Sequence, residues 1–347
     1  MDLIPIYRYN VIWNIRLVYY CRILRRSGCE ERMNIQRWLK RLSLASMLGM
    51  FLILLMGALV TKTESGRGCG DDWPLCNGRF VPAYTIESLI EYSHRFVVGV
   101  VGIILLATTI LVFLYSQRKD AKWFVGGAMF FTVLQAILGA FAVLWPQSAL
   151  VMALHFGFSL LSFAFTLLLY LVFTKFGEAL IRGDGTRLSR GARLSIWGVL
   201  LYSYVVVYLG AFVRHTESIG GCIGWPLCNG QVIPEMTGGT GVVFTHRLAA
   251  ALLGLAILAV FLMIRNQAKP GSSVYQAALW SLVLVFFQIL SGGFVTLTIG
   301  YDMFLVASLL HALLISCLFG ILCYLAIISM QTADDREVQA YAAPRLP

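Results

Sequence analysis

Five histidines occur in this chain of 347 residues, and four of them form two copies of one pattern. His94-Arg95 recurs as His246-Arg247 at an offset of 246 − 94 = 152, and His155 recurs as His311 at 311 − 155 = 156. All four lie in apolar stretches. An ionisable side chain inside a membrane is costly and usually functional. Imidazole is a common axial ligand of haem iron, and helical bundles place such ligands on neighbouring helices. Two histidines from two helices in each copy are the set that one six-coordinate haem requires. Interhelical hydrogen bonding by neutral imidazole is the simpler alternative, but it does not account for a duplicated pair. Zinc would want four N, S or O ligands per site, and no cysteine or carboxylate accompanies the histidines at the inner positions. His215 stands outside the pattern. Its repeat mate is Lys62, and both are expected in solvated loops.

Beside these histidines the copies differ in one carboxylate. Glu91 lies three residues before His94, on the same helical face, whereas Val243 precedes His246. Ser88-Leu89-Ile90-Glu91 also fits a capping box in which Glu91 closes back on Ser88. Spacing does not decide between a cap and a chemical role; the difference between the copies favours chemistry. Arg95 and Arg247 point about 100° away from the histidines they follow. They suit either anchoring of haem propionates or snorkelling at the bundle end. Cysteines are duplicated too: Cys69 and Cys76 match Cys222 and Cys228 around the shared Trp-Pro-Leu-Cys-Asn-Gly. Disulfides Cys69–Cys76 and Cys222–Cys228 are expected, as staples over the sites or as redox pairs. Cys317 and Cys323 read as packing residues, and Cys21 and Cys29 lie in the leader.

The elements that must hold these groups follow from composition. Hydrophobic residues make up 59% of the chain and charged residues 13%, with a mean hydropathy of +0.79; a soluble domain carries about 25% charged residues. Long continuous apolar runs imply membrane-spanning helices of roughly 20 residues each, not the alternating segments of a barrel. Eight spans are expected, near 42–61, 88–115, 122–145, 149–174, 194–214, 241–264, 274–299 and 303–329. Matches in register run through the chain: Gly57-Ala58-Leu59-Val60 with Gly210-Ala211-Phe212-Val213, Thr63-Glu64-Ser65 with Thr216-Glu217-Ser218, and Gln135, Gly139 and Phe141 with Gln288, Gly292 and Phe294. The expected fold is therefore an all-α integral membrane protein of two four-helix bundles, residues 41–175 and 194–330, related by a pseudo-two-fold along the membrane normal. A linker (176–193) joins them and a tail (331–347) follows. Taking Ser88, Ser148, Thr240 and Asp302 as helix starts puts all four histidines roughly 9–14 Å deep, in one layer.

Loop charge gives orientation. Thirteen basic residues, among them Arg37, Arg118, Arg187 and Lys269, fall on one side; Lys62, Arg67, Arg79 and Arg214 fall on the other. Both termini are thus expected in the cytoplasm of a bacterial cell, with the Cys loops outside. The net charge of +10 is a topology signal and gives no reason to expect nucleic acid as a partner. The expected cytoplasmic leader (1–40) carries six arginines within its first 32 residues. It has no evident cleavable signal, and reads as an amphipathic segment or as a start placed ahead of Met33.

Taken together, the eight helices, the duplicated Cys loops, the His-Arg after each loop and Glu91-Tyr92-Ser93-His94 resemble haem A synthase of the bacterial cytochrome-oxidase assembly pathway, over about residues 40–330. The resemblance implies oxidation of a ring methyl of haem O to a formyl group, with a resident haem b as cofactor. It implies that His246 and His311 ligate the resident haem, that His94, His155 and Glu91 form the substrate-haem site, and that Cys69 and Cys76 are the pair linked to activity. Membrane lipid, a haem O synthase upstream and an electron donor are the implied partners. Two other readings stand beside it: a di-haem b-type electron-transfer protein that leaves its haem unchanged, and a transporter built on the parallel repeat.

Overall fold

The computed structural model describes residues 27–331, apart from 72, 74, 81–84, 145–147 and 183. Eight helices among them are long and apolar enough to cross a membrane: α1 (Ser27–Lys62), α2 (Ile86–Tyr115), α3 (Lys119–Leu144), α4 (Ala149–Val172), α5 (Arg190–His215), α6 (Gly238–Arg265), α7 (Ser273–Leu297) and α8 (Met303–Met330). Polar starts define several of them. The hydroxyls of Ser148, Ser189 and Ser272 accept from the N–H groups of Val151, Ala192 and Tyr275 at 3.1, 3.2 and 3.2 Å, each satisfying a donor that a helix start leaves free.

Within each half the helices pack in sequence and close on themselves: α1 against α2 and α4, α2 against α3, α3 against α4, and likewise α5 against α6 and α8, α6 against α7, α7 against α8. The halves meet through α4 on α8, α5 on α4 and α1 on α8. Exchanging α1–α4 for α5–α8 returns the same set of neighbours, as a two-fold arrangement of duplicated bundles requires. α8 is the most buried span and α4 the next, because these two form the seam. Peripheral helices instead turn large apolar side chains outward, such as Trp123 on α3 and Ile103 on α2, as lipid allows. Close approach rests on small residues: Gly157 on α4 leaves no room for a Cβ beside the Tyr208 hydroxyl of α5, and a Cβ at Gly320 on α8 would lie 2.6 Å from Leu167 of α4. Buried hydroxyls pair between helices, Ser46 with Thr108 at 3.0 Å and Thr132 with Ser162 at 2.6 Å.

Two expectations need correction, and the linker proves to be packed. α1 begins by Ser27, so residues 27–40 continue the first helix; residues 1–26 and the tail beyond 331 lie outside the described residues. The linker is not a free connection: Ala179, Leu180 and Leu188 are buried in the core that spans both halves. Asp184 explains part of this, accepting from the N–H groups of Thr186 and Val274 at 3.0 and 2.9 Å, which fixes the linker to the start of α7. Finally, α5 extends through His215, so His215 and Lys62 end helices and are half-buried rather than solvated loop residues.

Candidate functional site

Each of the four duplicated histidines lies on a helix that starts at the Cys-loop face, and each ring rests on a glycine of the preceding helix. A Cβ at Gly57 (α1) would stand 3.5 Å from Cε1 of His94 (α2), and one at Gly139 (α3) 3.2 Å from Cε1 of His155 (α4). In the second half the distances are 2.9 Å from Gly210 (α5) to His246 (α6) and 3.3 Å from Gly292 (α7) to His311 (α8). Both glycine pairs are repeat matches visible in the sequence, but their role as floors beneath imidazoles required the fold. The His94 and His155 rings thus rest on α1 and α3 of the first half, and the His246 and His311 rings on α5 and α7 of the second. Each half therefore holds one of the two repeat-matched pairs on floors of the same kind.

Hydrogen bonding orients two of the rings. Nδ1 of His155 lies 2.8 Å from the Gln135 carbonyl. A carbonyl only accepts, so Nδ1 carries the proton and the lone pair sits on Nε2. Nδ1 of His311 lies 2.8 Å from the Ser291 hydroxyl, which itself donates to the Gln288 carbonyl at 2.8 Å. With Nδ1 protonated, Nε2 faces the Gln288 amide nitrogen at 3.2 Å. Nδ1 of His94 is buried without a hydrogen-bond partner, whereas the His246 ring has the Val206 carbonyl beside it. Buried polar atoms are normally satisfied. Four buried imidazoles seated in glycine cradles, among them His155 with its Nε2 lone pair free by tautomer and His94 with an orphaned ring nitrogen, fit the donor set of a histidine-ligated haem.

The halves differ around these pairs. In the first, Ser159 donates to the side-chain oxygen of Gln135. In the second, Ile315 replaces that serine, and the amide nitrogen of Gln288 lies 3.2 Å from both ring nitrogens of His311.

Glu91 does not form the capping box with Ser88. The cap of α2 is Thr85, whose hydroxyl accepts from the Ser88 N–H at 3.3 Å, and the helix starts two residues earlier than the spacing suggested. The Glu91 carboxylate, 3% exposed, accepts from the Cys69 N–H at 2.8 Å and from the Arg95 guanidinium at 2.5 Å. It thus ties the first Cys loop to the helical turn that carries His94. Val243, its counterpart, is buried against the Cys222–Cys228 pair.

Both disulfides form, Cys69–Cys76 and Cys222–Cys228. Each loop is closed by Asn-Gly: Asn77 and Gly78 take φ of 51° and 74°, Asn229 and Gly230 of 53° and 78°. A two-residue turn with both φ positive selects this dipeptide, and it pairs Cys76 with Arg79 and Cys228 with Gln231. The loops dock alike on their helices. Ser88 donates to the Gly68 carbonyl at 2.5 Å, and Thr240 to the Gly221 carbonyl at 2.7 Å. Arg95 and Arg247 also serve the loops: Arg95 donates to the Leu75 carbonyl at 2.8 Å, and Arg247 to those of Leu227, Gly224 and Cys222 at 3.2, 3.0 and 3.1 Å. Cys317 and Cys323 are free and half-buried in α8.

These features define a class: a duplicated helical membrane protein whose two bundles each enclose a pair of imidazoles beneath a disulfide-closed loop. The chain belongs to the cytochrome oxidase assembly protein family, which matches it over residues 40–89 and 83–323. It is 42% identical over 312 residues to the heme A synthase of Symbiobacterium thermophilum, covering 88% of this chain and 99% of that protein. Identity to the heme A synthase of Bacillus licheniformis is 41% over 293 residues, 82% and 94% of the two chains. Against that of Geobacillus kaustophilus it is 40% over 304 residues, 86% and 93%.

Proposed function

We propose that this protein is a haem A synthase. It oxidises one ring methyl of haem O to a formyl group, with haem O held between His94 and His155 and a resident haem b between His246 and His311. The observation that carries the reading is the duplicated pair of buried imidazoles on glycine floors, in a chain about 40% identical over most of its length to proteins named heme A synthase. When bound, the haem iron supplies the redox chemistry.

The chain's own residues supply ligation, orientation and proton handling. Gln135 fixes the His155 tautomer so that Nε2 is the donor atom. Glu91 holds a buried carboxylate one turn from His94, where its negative charge can stabilise positive charge that builds up on the macrocycle edge during methyl oxidation. Its bond to the Cys69 N–H passes the state of the first Cys loop to the same turn. Val243 gives the second half no such group, in keeping with a half that holds its haem and does not alter it. The apolar helices exclude water, and a lipid-soluble substrate suits a site that opens toward lipid. The upstream partner is a haem O synthase, and a separate donor or acceptor carries electrons. Loop charge supports an orientation with both termini in the cytoplasm, and the bacterial relatives support the cell membrane as the location.

The test is expression in a host without haem A, with and without a haem O synthase, followed by chromatography of extracted haems. Haem A is expected only when both are present. Recovery of haem O and haem b alone from cells rich in folded protein would favour the di-haem electron-transfer reading instead.

A further inference from the structure

Lys62 and His215 are repeat mates (215 − 62 = 153) to which the site above gives no role. They end α1 and α5, and each sits against the opposite half, since α1 packs on α8 and α5 on α4. The Lys62 ammonium lies 5.3 Å from the ring centroid of Phe304, in the first turn of α8, and is close enough to act electrostatically on the His311 ring. His215 follows Arg214, whose guanidinium donates to the Thr61 carbonyl of α1, so the end of α5 also meets the opposite half. A basic group from each half thus ends at the seam, next to the opposite half.

Charge at this seam is poorly compensated. Arg214 is near enough to Lys62 for the two charges to interact. It donates to the Thr61 carbonyl at 2.5 Å and reaches a carboxylate of Glu64 only at 3.7 Å, that side chain being 83% exposed. Nε of Arg214 is buried without a partner. Among the described residues no carboxylate lies within ion-pair distance of Lys62. Like charges held together and partly desolvated disfavour one another, and an anion placed between them relieves both. A haem carries two carboxylates on one edge of an otherwise apolar ring, and Lys62 and His215 end α1 and α5 at the face where the histidine-bearing helices α2 and α6 begin.

We propose that Lys62, from the N-terminal half, is the counter-cation for a carboxylate of the haem held by His246 and His311, and that His215 makes the corresponding contact to the haem held by His94 and His155. This rests on the two-haem reading above. The difference in residue type matches the difference in task. A lysine offers a full charge to a haem that stays, and an imidazole offers a hydrogen bond with at most fractional charge to a haem that must leave.

The test uses the full-length protein purified with Lys62→Met, Lys62→Arg and, as a control on the site itself, His246→Ala. Hydrogen bonds to charged groups contribute enough that haem b should transfer to apomyoglobin about tenfold faster, or more, from Lys62→Met. The low-spin spectrum should remain, because ligation is intact, and the midpoint potential should fall, because an uncompensated carboxylate favours ferric iron. Lys62→Arg should restore both. Reconstitution separates a haem carboxylate from a lipid phosphate as the anion. Haem-depleted wild type should hold haem b at least tenfold more tightly than its dimethyl ester, and Lys62→Met should hold the two alike. Unchanged haem transfer, potential and ester discrimination in Lys62→Met, with loss of the b-type spectrum in His246→Ala, would overturn the inference and leave the haem-site reading standing. Retention of that spectrum in His246→Ala would overturn the haem-site reading and the inference with it.

Discussion

Replacing Gly210 by alanine adds one carbon beneath the His246 ring, and the structure fixes how much that should matter. The new Cβ would lie 2.9 Å from Cε1, 3.3 Å from Nε2 and 3.5 Å from Nδ1. Carbon atoms settle about 3.5–4.0 Å apart, so the ring must retreat by roughly 0.6–1.1 Å. Gly292 under His311 is the internal control, because its Cβ would lie 3.3 Å from Cε1 and the same separation asks for only about 0.2–0.7 Å. Ligand geometry must be held to within about 0.5 Å. Gly210→Ala should therefore lose or convert most of the low-spin b-type haem, and Gly292→Ala should lose a smaller share. Helix propensity works the other way, since alanine in place of a helical glycine gains about 0.5–1 kcal/mol, so a deficit cannot come from helix weakening. The assay is reduced-minus-oxidised spectroscopy and haem content of the monodisperse protein. Full haem in Gly210→Ala, or a larger loss in Gly292→Ala than in Gly210→Ala, would refute the claim that these glycines set the imidazole position.

Glu91→Gln keeps an acceptor for the Cys69 N–H and loses the charge facing Arg95. It should retain fold and resident haem while haem A yield per folded protein drops about 10²–10⁴-fold; near-normal yield would reduce Glu91 to a loop tie. Val243→Glu should create no second active half, and new oxidation of haem b in that variant would contradict the division of roles. Thiol mapping before and after reduction should find Cys69–Cys76 and Cys222–Cys228 within their own loops and Cys317 and Cys323 free; a cross-half pair would contradict the loop structures. Burial pushes the Asp184 carboxyl up, but N–H donors from Thr186 and Val274, with the Thr186 side chain, outweigh it and hold the group below the ordinary aspartate value. Its contribution is then complete above a pH of about 4 and is lost as pH falls through the lowered value. Asp184→Asn should flatten the acid limb of a thermal-stability profile, and an unchanged limb would exclude this anchor.

Much of the architecture was legible because it is written as long apolar runs and a duplicated motif. Trp-Pro-Leu-Cys-Asn-Gly located both loops, and the fold explains its last residues through the positive φ of Asn77 and Gly78. The histidine pairs were legible for the same reason: four imidazoles in register inside apolar helices have few alternatives. What was misread depends on partners far along the chain. Ser88 looked like a cap, but its hydroxyl serves Gly68, twenty residues back, and Thr85 caps the helix. Glu91 pairs with a backbone N–H twenty-two residues away, which no periodicity encodes. The arginines after the histidines proved to serve loop carbonyls, since the loops fold back over the helix starts. His215 was misplaced because α5 runs one residue beyond the expected span, through His215 itself, a helix end being poorly marked where a basic residue can still pack against a neighbouring half.

The central claim is that two alike haem sites have different tasks, and the most direct measurement pairs haem inventory with product. Four variants, His94→Ala, His155→Ala, His246→Ala and His311→Ala, would be purified from cells that make haem O, and haem b and haem A quantified per folded protein. The first two are expected to retain resident haem b and make no haem A, the last two to lose haem b. Full haem b in both His246→Ala and His311→Ala, or wild-type haem A from either His94→Ala or His155→Ala, would contradict the account.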